Sequence, residues 1–293
     1  MSRERARVRL KSDTGSDTGS DTGSDTPRAL LPELETTIPR CDGEWILGHV
    51  LGVGRSELYG RLGESLTDAQ LARVHELAAR REAGEPLQYV LGQWGFRRLE
   101  LLVDRRALIP RPETEILVER CLELVEGLNA PRVLDVGTGS GAIALAIAAE
   151  HPGARVTGID VSEDALALAR ENIGHTGVAI ELSRHDVAEG LPGSDWDLIV
   201  SNPPYVEAHE LVALAADVVE WEPDIALVAR GQTEALVRGA ATGLRPGGAL
   251  VVETSERGAT LLQRLLAELG FEALRVTRDL AGRERVVDGR RPR

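Results

Sequence analysis

The sequence predicts an α/β protein, a Rossmann-like sheet covered by helices and preceded by a small helical N-terminal domain. Three observations carry that prediction. After Pro131, apolar runs of strand length alternate with helical segments of about 10 to 15 residues, the pattern of a parallel sheet with helices on both faces. One of those strands, Val133-Leu134-Asp135-Val136, runs straight into a glycine-rich turn, Gly137-Thr138-Gly139-Ser140-Gly141. Ahead of Gly84 the apolar residues recur at helical spacing and never in strict alternation.

Composition bounds the function. The 293 residues are 42% hydrophobic, enough to bury an enzyme-sized core and to divide into two domains. A formal net charge of -13 disfavours a sequence-independent grip on nucleic acid, which needs a basic face, so no direct nucleic-acid partner is expected. No apolar run approaches the roughly 18 residues of a membrane span, and a soluble cytoplasmic monomer is expected. Cys41 and Cys121 lie far apart and form no CxxC pair, and two reduced core thiols are expected. The histidines lack metal-ligand spacing, so no metal is expected.

Along the chain, residues 12–26 repeat Ser-Asp-Thr-Gly with no apolar side chain, which cannot offset the entropy of ordering. Residues 1–27 are therefore expected as a disordered low-complexity tail. Residues 28–90 read as the helical domain: Leu71, Val74, Leu77 and Ala78 share a helix face behind a capping box of Thr67 and Gln70, and Gly84 with Pro86 stops the helix. Over residues 91–112, Trp94, Phe96, Leu99, Leu101 and Val103 suggest a short two-stranded hairpin linker that closes in Pro110-Arg111-Pro112. Residues 113–293 form the α/β domain. Its first helix carries Leu117, Cys121, Leu124 and Leu128 on one face. Strands are expected at 132–136, 155–160, 180–182, 197–201 and 249–253, with a final pair near 271–277 and 283–287. Helices should begin near Ala142, Ser162, Gln232 and Gly258. In such a fold the ligand belongs at the carboxyl ends of the strands.

The glycine turn is the first chemical motif. Glycines at 137, 139 and 141 permit positive φ and a close ligand approach to the backbone. Gly137, Gly139 and Ala142 also fit the dinucleotide fingerprint, so a nicotinamide cofactor stays open on this motif alone. Asp160 ends the next strand about 20 residues on, where a carboxylate can accept both ribose hydroxyls. Asp186 follows the third strand, within reach of an adenine amino group. Asp135, inside an apolar strand, would be costly to bury without donors or a cation. A sulfonium ligand with an ammonium tail supplies one.

The second motif is Ser201-Asn202-Pro203-Pro204-Tyr205 at the end of an apolar strand. Its prolines fix φ and remove two backbone donors, leaving rigid carbonyl acceptors. An NH2 group offers two donors, one for the Asn202 side-chain oxygen and one for the Pro203 carbonyl, while Tyr205 covers the π face. That arrangement suits a planar amide or amine nitrogen. Nothing in it is a dedicated base.

With those residues placed, the chain resembles the release factor glutamine N5-methyltransferase family (HemK/PrmC) over roughly residues 40–290. The resemblance runs through Gly84-Glu85-Pro86-Leu87-Gln88-Tyr89-Val90-Leu91-Gly92, Leu108-Ile109-Pro110-Arg111-Pro112-Glu113-Thr114-Glu115, the glycine turn, Ser201 to Tyr205, Glu222-Pro223 and Asp279-Leu280-Ala281-Gly282-Arg283. It implies a class I methyltransferase sheet that uses S-adenosyl-L-methionine to methylate the glutamine of the Gly-Gly-Gln motif in peptide chain release factors. By the same resemblance Gly137, Thr138, Gly139, Ser140, Gly141 and Asp160 form the cofactor site, to which the residue chemistry above adds Asp135 and Asp186, and Asn202 touches cofactor and substrate. Pro203, Pro204 and Tyr205 would cradle the glutamine, the helical domain would dock the release factor, and Arg111 and Glu113 would lie near the mouth. Val187 stands where many relatives carry an aromatic. A nucleic-acid methyltransferase acting on adenine N6 or guanine N2 is the alternative, because such enzymes present a similar strand-end motif to an exocyclic amine; the acidic composition disfavours it.

Overall fold

The computed structural model describes residues 25–213 and 215–293, so the repeat tail expected over residues 1–27 lies almost wholly outside the described residues. The chain divides into two compact units between Ala78 and Ala79.

The first unit is helical. Pro27–Leu34 starts behind Thr26, whose hydroxyl accepts from the Ala29 N–H. Arg40–Leu51 follows and ends at Gly52 in the left-handed region. Leu30, Leu31, Leu34, Ile46, Leu47 and Leu58 are buried. Cys41 corrects the expectation of two core thiols: it is exposed and faces the Asp42 carboxylate, because Gly43, Ile46 and Leu47 occupy the inward side of its helix. Cys121 is buried. The capping box closes reciprocally, with Thr67 N–H donating to Gln70 Oε1 at 2.9 Å and Gln70 N–H donating to Thr67 Oγ1 at 3.2 Å. It opens the helix Asp68–Glu82, inside which the unit boundary falls. Beyond it, Arg80 donates to Glu85 and to the carbonyls of Tyr89 and Val90, tying this stretch together.

In the second unit β1 (Gln93–Phe96) and β2 (Leu99–Leu102) form an antiparallel hairpin. The main sheet contains β3 (Arg132–Val136), β4 (Arg155–Asp160), β5 (Glu181–Arg184), β6 (Trp196–Ser201), β7 (Leu244–Glu253), β8 (Glu272–Arg278) and β9 (Glu284–Arg290). Their order is β5-β4-β3-β6-β7-β9-β8. The first five strands are parallel, whereas β9 runs antiparallel to both β7 and β8. The sheet is therefore mixed: the few residues between β8 and β9 allow a hairpin but no parallel crossover.

Burial alternates along the strands. Val133, Leu198, Val251 and Val286 pack on one face with Leu117, Cys121 and Ile143 to Ile147 of the helices Pro112–Val125 and Ala142–Glu150. Leu134, Ile199, Val252 and Val287 pack on the other with Leu236, Val237, Leu262 and Leu266 of Gln232–Gly243 and Glu256–Glu268. Both faces are covered, which explains why the strands read as continuous apolar runs. The strand order reverses between β3 and β6, so their carboxyl ends open the crevice where a doubly wound sheet binds ligands. No helix of the described residues is long and apolar enough to cross a membrane.

Candidate active site

At the end of β3, Gly137, Gly139 and Gly141 take φ values of 73°, 57° and 84°, a region that side chains with a Cβ enter only with strain. The Gly137 and Thr138 N–H groups both donate to the Ile159 carbonyl of β4, at 2.8 and 2.9 Å. Gly158 supplies the close approach: a Cβ there would lie 2.7 Å from Thr138 Oγ1. The turn is thus laid down on β4 before it enters the helix Ala142–Glu150.

Asp135 is the internal brace of this turn. Its side chain is fully buried; Oδ2 accepts from Thr138 Oγ1 at 2.7 Å and from the Ala144 N–H at 3.2 Å, while Oδ1 has no partner. Burial pushes its pKa up to about 7 against those two donors. It does not line the cavity described next. The donors that the sequence required are therefore found within the turn and the following helix, and Oδ1 is left for a further partner.

A cavity of about 400 Å³ sits at the carboxyl ends of β3, β4 and β6. Of the residues singled out in the sequence, Gly137, Thr138, Gly139, Ser140, Asp160, Asp186, Asn202, Pro203 and Pro204 line it. Gly141 and Tyr205 join Asp135 outside the lining. Asp160 Oδ2 accepts from the Gly139 N–H and Oδ1 from the Ser162 N–H, each at 2.9 Å. Burial raises the Asp160 pKa, and these backbone donors oppose the rise. Asp186 caps the short turn Val187–Glu189 through the Ala188 N–H at 2.9 Å, and half-buried Val187 contributes the apolar surface beside it.

Ser201 Oγ donates to the Val136 carbonyl at 2.7 Å and so pins the end of β6 beside the glycine turn. Asn202 follows at once, its Nδ2 donating to Thr114 Oγ1 at 3.3 Å. Pro203 and Pro204 continue along the wall. Tyr205 is not among the lining residues, and burial near the Glu253 carboxylate raises its pKa. Arg111 does line the cavity and pairs with buried Glu222, which also accepts from the Ile109 N–H at 3.3 Å. Glu113 is not in the lining. Pro223, Ala226 and Gln232 close the opposite side.

One supporting residue escaped the sequence reading. Asn172 is fully buried on the helix Glu163–Thr176. Its Oδ1 accepts from the Leu102 N–H at 2.7 Å, and its Nδ2 donates to the carbonyls of Leu102 and Ser140 at 3.0 and 2.9 Å. One side chain therefore fastens β2 to the glycine turn. The available signal was a polar residue at helical spacing from Leu166 and Ala169. Asn172→Leu is expected to cost about 2–4 kcal/mol in denaturant unfolding, because it strands these backbone groups in the interior; an unchanged midpoint would contradict the clamp.

Comparison with known proteins extends the picture. The Methyltransferase small domain family model matches residues 112–273, and the PrmC N-terminal domain model matches residues 28–92. A release factor glutamine methyltransferase of Deinococcus radiodurans is 42% identical over 257 residues, covering 86% of this chain and 91% of its own length. One of Bordetella pertussis is 41% identical, covering 86% of this chain and 95% of its own. Among solved structures, the hMettl16 catalytic domain in complex with the MAT2A 3'UTR hairpin 6 aligns at a TM-score of 0.55 with 15% identity, over 76% of this chain and 82% of that one. That likeness shows the fold alone.

Proposed function

From the premise that the chain belongs to the release factor glutamine methyltransferase family, we propose that it methylates the side-chain amide N5 of the glutamine in the Gly-Gly-Gln motif of peptide chain release factors. The observation that carries this reading is that Asn202, Pro203 and Pro204 line the same cavity as the glycine turn and Asp160. That shared lining supports a reading in which acceptors for a planar NH2 adjoin a nucleoside site.

S-Adenosyl-L-methionine is the cofactor of this class of enzyme, and the residues present fit it. The cavity falls within the range of about 300–1,000 Å³ usual for sites of such ligands. Each oxygen of Asp160 accepts a backbone N–H, and a carboxylate has about four lone-pair sites, which leaves capacity for ribose hydroxyls. Asp186 and Val187 provide an exposed acceptor and an apolar surface for the base. When bound, the sulfonium supplies an already activated methyl electrophile.

The chain's own task is then orientation. An amide nitrogen is a weak nucleophile because its lone pair is delocalised, and alignment of reacting groups is worth about 7–11 kcal/mol in favourable cases. Asn202 Oδ1 and the Pro203 carbonyl each accept one N–H of the substrate amide, which fixes its plane. Those hydrogen bonds strengthen as the nitrogen gains positive character, a gain specific to the transition state. The helical residues 28–90 serve release factor docking, and the enzyme acts as a monomer in the cytoplasm.

Incubating the protein with methyl-labelled cofactor and a release factor, and in parallel with RNA and DNA, tests the reading. Label is expected in the release factor and lost when its motif glutamine is replaced. Label appearing only in nucleic acid would sink the proposal.

A further inference from the structure

Glu253 takes no part in the reaction as described, yet its carboxylate is buried next to Asn202. It ends β7, is 1% exposed, and its Oε2 has no hydrogen-bond partner. Burial raises its pKa, the nearby Thr114 hydroxyl, Arg285 guanidinium and Asn202 amide lower it, and the Glu113 carboxylate raises it. The Tyr205 phenol lies within its field. Behind it, Arg285 donates to Asp279 Oδ2 at 3.3 Å and to the Thr254 carbonyl at 3.4 Å. Asp279 in turn accepts from the N–H groups of Ala281 and Arg283, both at 2.9 Å. The Asp279 to Arg283 block is thereby explained as the support that holds a cation beside Glu253.

We propose that Glu253 is a positioning residue that fixes, through the Thr114 hydroxyl, which way round the Asn202 side-chain amide faces the cavity. The inference rests on the glutamine-methylation reading of Asn202. A carboxylate only accepts, so it draws the Thr114 O–H toward itself and leaves the Thr114 oxygen as an acceptor. That oxygen takes the Asn202 Nδ2 donor at 3.3 Å. Asn202 must then present Oδ1 toward the substrate amide. Reversal of the chain would turn Nδ2 to the cavity, donor against donor.

The arrangement has a pH signature. Burial pushes the Glu253 pKa up to about 7, with Thr114, Arg285 and Asn202 lowering it and Glu113 raising it. Protonated, the carboxyl donates, the Thr114 O–H turns toward Asn202, and the amide flips. Turnover should therefore fall as pH drops through about 7. Asp135 is also pushed up to about 7, but it lies under the glycine turn and remains in a Glu253→Gln variant, so comparison of the two profiles isolates Glu253.

The test uses the full chain with S-adenosyl-L-methionine and release factor. Thr114→Val is expected to lower kcat by up to about 100-fold, with the KM for release factor and calorimetric cofactor affinity changed far less, and Thr114→Ser to restore most of the rate. Glu253→Gln should remove the inflection near pH 7. Wild-type turnover of the glutamine with an equally active Thr114→Val, or an unaltered profile in Glu253→Gln, overturns the inference alone. Failure of the wild type to methylate glutamine overturns the underlying reading as well. Should Thr114→Val not fold, the Glu253→Gln profile decides.

Discussion

Asn202→Ala is expected to lower kcat for release factor methylation by about 10²- to 10³-fold, the size of effect seen when one preorganised transition-state contact is removed. At about 1.4 kcal/mol per factor of ten, that is roughly 3–4 kcal/mol of lost stabilisation. The substitution removes the acceptor for one substrate N–H and returns to the cavity a methyl group that can neither orient nor polarise the amide. The end of β6 should hold its place, since Ser201 still bonds the Val136 carbonyl. A change confined to KM would mean that Asn202 merely binds substrate, and an unaltered kcat would remove it from the chemistry.

Asp160→Ala should act on the cofactor instead, weakening its binding by on the order of 100-fold. Two ribose hydroxyl bonds to a charged acceptor, at about 1.5–3 kcal/mol each before desolvation is subtracted, are lost together. The Gly139 and Ser162 N–H groups also lose their acceptor, which loosens the turn. Asp160→Asn keeps the shape and one acceptor oxygen, so it should fall between the two. Calorimetric titration with S-adenosyl-L-methionine reads both variants. Equal affinity in wild type and Asp160→Ala would show that the ribose is held elsewhere.

Much of the fold was legible because its signals are local. The bounds of β3 and β4 follow from apolar runs that stop at a glycine turn and at Asp160. The capping box at Thr67 closes as its spacing requires. The direction of β9 was not legible, since strand pairing is decided by connection length and neighbours rather than by composition. Local chemistry also placed the cavity walls from Gly137 to Ser140 and from Asn202 to Pro204.

What sequence could not show was partnership across distance. Asp135 was recognisable as a carboxylate in need of donors, but that those donors are Thr138 and Ala144 depends on how the turn folds back. Tyr205 adjoins Pro204 in the chain, yet it leaves the lining and lies near Glu253 and Arg285. Glu253 looked like the polar end of an apolar strand. Its meaning comes from Thr114, brought beside it by a different element. Cys41 was expected in the core, yet between Arg40 and Asp42 it takes an exposed position on its helix.

Mass spectrometry of the Gly-Gly-Gln peptide, recovered from release factor incubated with the enzyme and S-adenosyl-L-methionine, tests the central claim most directly. The account predicts one added methyl group on the glutamine side-chain amide with wild type and almost none with Asn202→Ala. A peptide left unmodified by the active wild-type enzyme, or a methyl group on any other residue, would contradict it.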